Sequence, residues 1–387
     1  MTILAHLADL HLGYRAYDRS TAAGINQREA DVANAFRAAV DGVLAARPDV
    51  VVIAGDLFHQ VRPANTAIVF AFQQLARLRT ALPDAPIIVA AGNHETPRAV
   101  ETGSILPLFE ELGVDLAMTA PRRFSYPALD LAVLVVPEPS LWSKLDLIPQ
   151  GDERHQVLVL HGEVEGVIGP YGMRDRQVKP GDLVAGGWGY VALGHYHVQH
   201  EVAPRVWYAG ALEYTSSDPW GEVAEEARLG HQGKGWLRVD LETGTVTRQP
   251  VPSARTVWDC PRLDATDLPA ADVDRGITEA LQGVPGGLTG AVVRLVVDNI
   301  PKHIQRELDH ARIRKFKANA LHFHLDHRHP DTVTGGRETR DAMRKMTLPE
   351  LLQAHLAKHP LPARLDRGRF VQAGMDLLAE LDSPDDT

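Results

Sequence analysis

The feature that most constrains this chain is a repeated pairing, a short apolar run that stops at a small polar motif. The clearest example is Val51-Val52-Ile53-Ala54-Gly55-Asp56-Leu57-Phe58-His59. Its β-branched residues predict a buried strand, and Gly55 lets the backbone turn sharply where that strand ends. Asp56 is thereby presented at a strand's carboxyl end, where open α/β sheets place their sites. Four more runs end the same way. The strand over 2–8 leads into Asp9-Leu10-His11-Leu12-Gly13, and the strand over 86–91 into Gly92-Asn93-His94-Glu95. Leu158-Val159-Leu160 leads into His161-Gly162, and Tyr190-Val191-Ala192-Leu193 into Gly194-His195-Tyr196-His197.

Between the first runs, Val32, Phe36, Val40, Val43 and Leu44 recur at helical spacing, predicting a helix from Asn26 to Arg47 that stops before Pro48. A second helix is expected near 64–80. Strand–helix–strand alternation predicts a largely parallel early sheet. After about 120, short strands near 123–126, 130–136, 156–160, 190–193 and 205–208 come with few helices, and a hairpin over 235–250 closes the region. The expected fold class is α/β, a sandwich of two mixed β-sheets flanked by helices. A Pro-, Asp- and Gly-rich stretch over 254–290 marks a boundary. A small α+β unit follows, with a strand over Ala291–Val297, a basic helix over 302–317 and a strand over Leu321–Leu325. Leu348, Leu351, Leu352 and Leu356 predict a helical tail, with a second tail helix around 369–381. The expected domains are 1–253, 254–333 and 334–387.

Composition narrows the class. A chain of 387 residues with 44% hydrophobic content supports more than one packed domain. One cysteine, Cys260, excludes an internal disulfide and a thiolate metal cluster, which fits a reducing cytoplasm. The first residues predict a strand and not a signal peptide, and no run of about 18 apolar residues predicts a membrane span. A net charge of -10 argues against a protein that coats nucleic acid wholesale, but not against a local basic surface.

Asp9, His11, Asp56, Asn93, His161, His195 and His197 form a set of carboxylate, amide and imidazole donors. Such a set suits manganese, iron or zinc and is too rich in nitrogen for calcium. One carboxylate at Asp56 has an oxygen for each of two ions, and two-metal sites activate water for in-line displacement at phosphorus. His94 follows a ligand and suits proton donation to a leaving alkoxide. Taken singly, Asp-x-His or Gly-Asn-His is a weak pattern. Their joint occurrence in order, each at a strand end, is what carries the reading. His6, His155, His200, His231, His355 and His359 lack that context and are expected in surface or core roles.

These residues resemble the calcineurin-like metallophosphoesterases, whose ordered signature is Asp-x-His, Gly-Asp, Gly-Asn-His, His and Gly-His-x-His. The resemblance implies a four-layer sandwich with one metal held by Asp9, His11, Asp56 and His197. The other would be held by Asp56, Asn93, His161 and His195, with Mn2+ the expected ion. Within that superfamily the motifs, together with Tyr208-Ala209-Gly210-Ala211-Leu212-Glu213, are similar to those of the DNA-repair nuclease subunit of the SbcD type. That likeness implies duplex exonuclease action and endonuclease action on single strands or hairpins. It also implies a role for His59 in positioning DNA, and a capping domain near 290–330. A homodimer contact from helices near 64–80 and 98–112 is implied too, and a tail that grips an SbcC-like ATPase. Where Asp-Ser-Pro is common in the family, this chain reads Glu95-Thr96-Pro97.

Lys302, Arg306, Arg312, Arg314, Lys315 and Lys317 stand against only Glu307 and Asp309, and His322, His324, His327, Arg328 and His329 follow. In an acidic chain this local reversal matches a phosphate-backbone contact surface; the alternative is a solvated helix face. The rival functions are a small-molecule or phosphoprotein phosphoesterase, against which the extra unit and tail argue, and a non-catalytic scaffold, against which the complete donor set argues.

Overall fold

The strands and helices are described from a computed structural model covering residues 1–97, 103–143, 145–167, 177–330, 347–358 and 366–381. The first strand, β1, spans Ile3–Leu7 and leads to helix α1 over Gln27–Ala46. Asn26 caps that helix by accepting from the Arg28 and Glu29 N–H groups, and Arg47 ends it in a left-handed conformation. Then come β2 (Val50–Ile53), α2 (Asn65–Ala81), β3 (Ile87–Ala90), a 3-10 turn over Leu106–Leu112, and β4 (Val114–Ala117). The helix expected near 98–112 is therefore a short 3-10 element over its later part; 98–102 lie outside the described residues.

The next segment supplies β5 (Arg122–Tyr126), β6 (Leu131–Val136), β7 (His155–His161), α3 (Pro180–Ala185), β8 (Tyr190–Gly194), β9 (His200–Ala203) and β10 (Val206–Tyr208). Helix α4 (Pro219–Arg228) and the hairpin β11 (Lys234–Asp240) and β12 (Thr245–Val251) follow. One six-stranded sheet runs β12-β11-β1-β2-β3-β4, parallel from β1 to β4, and the other runs β5-β6-β7-β8-β10-β9. The hairpin expected to close the later region instead extends the first sheet, antiparallel to β1. Leu237 and Val239 join Leu4 in the layer between the sheets, so the hairpin buries its apolar face there.

Alternation along the short strands sorts their side chains between layers. Val51 and Ile53 face the helix layer with Phe36, Val40 and Leu75, whereas Val50 and Val52 face the second sheet with Val133, Val157 and Val159. A strand buried on both faces reads as a continuous apolar run, which is why this one stood out in the sequence.

The stretch over 254–290, expected as a boundary, holds structure of its own. It contains β13 (Val257–Asp259), β14 (Leu263–Asp264) and α5 (Ala270–Gln282), whose Val273, Ile277 and Leu281 are buried at four-residue spacing. With β15 (Val292–Asp298) and β16 (His322–His327) these strands make a four-stranded parallel sheet with its own core. The single basic helix expected over 302–317 is two, α6 (Lys302–Glu307) and α7 (His310–Asn319). Asp309 breaks it by capping α7, its carboxylate accepting from the Arg312 N–H. Residues Met1–Arg328 form one compact unit, and His329–Thr387 another. The second unit contains α8 (Leu348–Lys358) and α9 (Arg367–Leu381), the two helices expected in the tail. Among the described residues no helix is long and apolar enough to cross a membrane.

Candidate metal centre

All five polar motifs lie at the carboxyl ends of β1, β2, β3, β7 and β8, so both sheets contribute to one cluster. Backbone hydrogen bonds lock the first two loops together: the Asp9 N–H donates to the Gly55 carbonyl (3.0 Å) and the His11 N–H to that of Asp56 (2.9 Å). His11 Nε2 lies 3.0 Å from His197 Nε2 and 3.9 Å from Asp56 Oδ2. The same Asp56 oxygen lies 3.4 Å from His161 Nε2. Asn93 Oδ1 is 3.1 Å from His161 Nε2 and 2.9 Å from His195 Nδ1. The His195 N–H donates to both Asp9 oxygens, at 2.9 and 3.0 Å. Every ligand expected from the sequence is therefore in this cluster, with Asp56 between its two halves.

That convergence is visible in the backbone dihedrals. Asp9, His11, Asp56 and His195 all have positive φ, at 53°, 48°, 52° and 107°. Non-glycine residues rarely adopt such angles, and they concentrate where surrounding structure imposes them at a site. Two glycines make room. A Cβ on Gly55, itself at φ 97°, would lie 2.1 Å from His161 Nδ1, and one on Gly92 would lie 2.1 Å from Asp56 Oδ1.

Hydrogen bonds select which imidazole nitrogen faces inward. His161 Nδ1 lies 2.8 Å from the Ala54 carbonyl. A carbonyl only accepts, so Nδ1 carries a proton and Nε2 is the nitrogen turned toward Asp56. His195 presents the opposite nitrogen, Nδ1, while its Nε2 lies 3.5 Å from Glu163. Burial alone would raise the Asp56 carboxyl, but His161 and His11 outweigh it and hold it below the usual carboxylate range. Asp56 in turn lifts His161 to about 10 against its burial. Burial pushes His11 well down, with His197 adding to the effect.

This donor set fits divalent cations of borderline softness. Two imidazole nitrogens facing each other at 3.0 Å, beside buried carboxylates that accept N–H groups of this cluster, make a concentrated set of lone pairs. Potential ligand atoms of Asp9, His11 and His197, of Asp9, Asp56 and His161, and of His11, His59 and His94 lie mutually within 4.8 Å.

His94 and His59 lie at the rim, their rings stacked with centroids 4.9 Å apart. The His94 Nδ1–H donates to the His59 carbonyl (2.7 Å), so Nε2 is the nitrogen that bond leaves unengaged. His59 also lies edge-on to Tyr14 and is pushed down to about 4 by burial and the nearby His94. Lys302, Arg306, Arg312, Arg314, Lys315 and Lys317 lie on α6 and α7, where both helices are largely exposed. The loop after β1 reaches that unit: Arg19 donates to the carbonyls of Lys317 (3.2 Å) and Ala318 (2.6 Å), and Tyr17 stacks on His322 at 4.1 Å.

Three charged residues that the motif reading did not assign support the cluster. Glu95, noted only as a departure from a family pattern, accepts the N–H groups of Phe58 (2.6 Å), Gly92 (2.9 Å) and Asp56 (3.1 Å). Its position directly after Gly-Asn-His was the available signal. Glu222 and Lys234, behind His197, belong to no motif and had none.

Two mixed sheets with a histidine, aspartate and asparagine cluster across their strand ends define a phosphoesterase architecture. The calcineurin-like phosphoesterase family model matches residues 3–199, and the chain belongs to that family. Within it, the chain is similar to the DNA double-strand break repair protein Mre11 of Methanocaldococcus jannaschii. The two are 28% identical over 245 residues, covering 62% of each protein. The protein of the same name from Saccharolobus solfataricus is 30% identical over 206 residues, 51% of this chain and 50% of that relative. The chain thus matches between half and about three-fifths of the length of these relatives.

Proposed function

We propose that this chain is a two-metal DNA nuclease, with Asp9, His11, Asp56 and His197 holding one ion and Asp56, Asn93, His161 and His195 the other. The observation that carries the reading is Asp56 Oδ2 placed between His11 Nε2 and His161 Nε2. When bound, two divalent ions, Mn2+ in this proposal, would polarise a water for attack and neutralise the phosphoryl oxygens. The chain's own part is orientation and proton transfer. The Ala54 carbonyl holds the His161 tautomer. His94, its Nδ1–H committed to the His59 carbonyl, delivers a proton from Nε2 to the departing sugar oxygen. His59, stacked on His94, steadies that ring and helps position the strand.

DNA is the proposed substrate because the curated relatives are DNA-repair proteins and because α6 and α7 carry a dense run of cations. Both duplex-end exonuclease and single-strand or hairpin endonuclease action are proposed, within DNA repair in the cytoplasm. Residues 254–333 act as a capping domain whose Lys302, Arg306, Arg312, Arg314, Lys315 and Lys317 contact phosphates. Residues 334–387 bind an SbcC-like ATPase, and the chain works as a homodimer.

End-labelled linear duplex incubated with Mn2+ tests the reading, with Asp56→Asn as the control for contamination. Degradation by the parent chain that the variant lacks is the expected result. Cleavage of a chromogenic phosphodiester alone, with duplex DNA intact even beside the ATPase, would replace DNA with a small diester as substrate.

A further inference from the structure

Behind His197 lies a buried ion cluster that no motif contains. Glu222 lies in α4 and Lys234 opens β11, and they are 8% and 3% exposed. The Lys234 ammonium pairs with Glu222 and with Glu226 Oε1 (2.9 Å), and donates to the His197 carbonyl (3.0 Å). It also lies 4.4 Å from the centre of the Tyr214 ring. Glu226 Oε2 accepts from the Tyr214 hydroxyl (2.9 Å) and the Gly233 N–H (3.0 Å), and Glu222 Oε1 accepts from the Ser216 N–H (3.2 Å). These contacts hold the Glu222 carboxylate in one place.

That same oxygen, Glu222 Oε1, lies 3.5 Å from His197 Nδ1, a buried nitrogen with no other hydrogen-bond partner among the described residues. The other nitrogen of the ring, Nε2, faces His11 Nε2 at 3.0 Å. Only one neutral tautomer suits both ends. A proton on Nδ1 points positive charge at a carboxylate and leaves the Nε2 lone pair turned into the cluster. The reverse tautomer sets a lone pair against Glu222 and a proton into the place a cation would occupy. Two buried carboxylates against one ammonium leave the cluster with excess negative charge, which favours the N–H facing it.

We propose that Glu222, anchored by Lys234, is the positioning residue that fixes His197 as its Nδ1–H tautomer and so prepares Nε2 as a metal ligand. The inference rests on the metal assignment given under the proposed function. It extends to His197 the arrangement in which a carboxylate orients a ligating histidine, where loss of the outer partner typically costs about 10- to 100-fold in metal affinity.

Two measurements on the full chain, freed of metal by chelator, test it. Long-range proton–nitrogen spectra of 15N-histidine protein, with His197 assigned by a His197→Gln variant, read the tautomer directly. Titration with Mn2+, following free ion by electron paramagnetic resonance, reads affinity. The expected results are an Nδ1–H His197 in the parent chain and Mn2+ binding about 10- to 100-fold weaker at one site in Glu222→Gln. Glu226→Gln, which disturbs the same cluster without facing His197, is expected to retain the parent affinity. An Nε2–H His197 in the parent chain overturns the inference, and this reading stands even if Glu222→Gln fails to fold. Equal losses in Glu222→Gln and Glu226→Gln also overturn it, by reducing Glu222 to a packing role. A parent chain that binds no Mn2+ refutes the metal assignment itself, whereas tight parent binding unchanged in folded Glu222→Gln refutes only this inference.

Discussion

Glu95 gives the most demanding test of how the centre is held. Its carboxylate, 2% exposed, accepts three backbone N–H groups, from Phe58 and Asp56 on one loop and Gly92 on the other. It therefore clamps the loop carrying Asp56 to the loop carrying Asn93 and His94. Glu95→Ala leaves three buried donors without acceptors. At about 1–3 kcal/mol for each orphaned group, the gross loss is roughly 3–9 kcal/mol. Part of this is offset, because burial and the neighbouring Asp56 push the Glu95 carboxyl up to about 8, so its charge is itself costly. We expect a net loss of about 3–5 kcal/mol for Glu95→Ala. Glu95→Gln should lose less, about 1–3 kcal/mol. Its amide oxygen can still serve the two donors on Oε2, but its amide nitrogen then faces the Phe58 N–H. Urea unfolding of chelated protein measures both, and Mn2+ titration of the folded Gln variant reads the effect on the centre. A Glu95→Ala stability within about 0.5 kcal/mol of the parent would refute the clamp, since that is the scatter of an ordinary surface substitution.

Three further outcomes follow from the same geometry. His94→Ala should keep Mn2+ affinity and lose about 10²- to 10⁴-fold in turnover, the usual contribution of a positioned acid; cleavage at the parent rate would remove His94 from proton transfer. His6 is buried and pushed down to about 3 by that burial, partly offset by the Leu193 carbonyl. Its pKa is depressed on folding, so the stability it contributes is present above about 6.5 and lost as pH falls toward 3, roughly 4–5 kcal/mol in all. Chelated His6→Gln should therefore show a flatter fall in urea midpoint across that window, and an unchanged slope would contradict the assignment. Arg314→Glu with Lys315→Glu should weaken duplex binding and lower the salt slope by about 2, one for each phosphate no longer neutralised; an unchanged slope would leave α7 a solvated face.

Much of the centre was legible before the fold. Each candidate donor follows an apolar run directly or through one or two residues, and Gly55, Gly92 and Gly194 mark where the chain must turn or be approached closely, so residue type and order alone gathered Asp9, His11, Asp56, Asn93, His161, His195 and His197. Helix α1 was equally legible, because its apolar spacing and the Arg47-Pro48 stop are local signals. Helix α5 was missed although Val273, Ile277 and Leu281 have helical spacing, because the Pro-, Asp- and Gly-rich flanks dominated the reading. The break at Asp309 was hidden by the continuous run of cations on either side.

Sequence by itself determined which residues end strands and which donors they carry, because strand propensity, turn chemistry and periodicity act over a few neighbouring residues. Tertiary structure alone decided that β7 and β8 of one sheet bring His161, His195 and His197 to the strand ends of the other. It also forced Asp9, His11 and Asp56 into left-handed backbone and set the Glu222–Lys234 pair behind His197. Those features join residues far apart in the chain, as His11 and His197 are, and only the pairing of strands and the packing of two sheets fixes such distances.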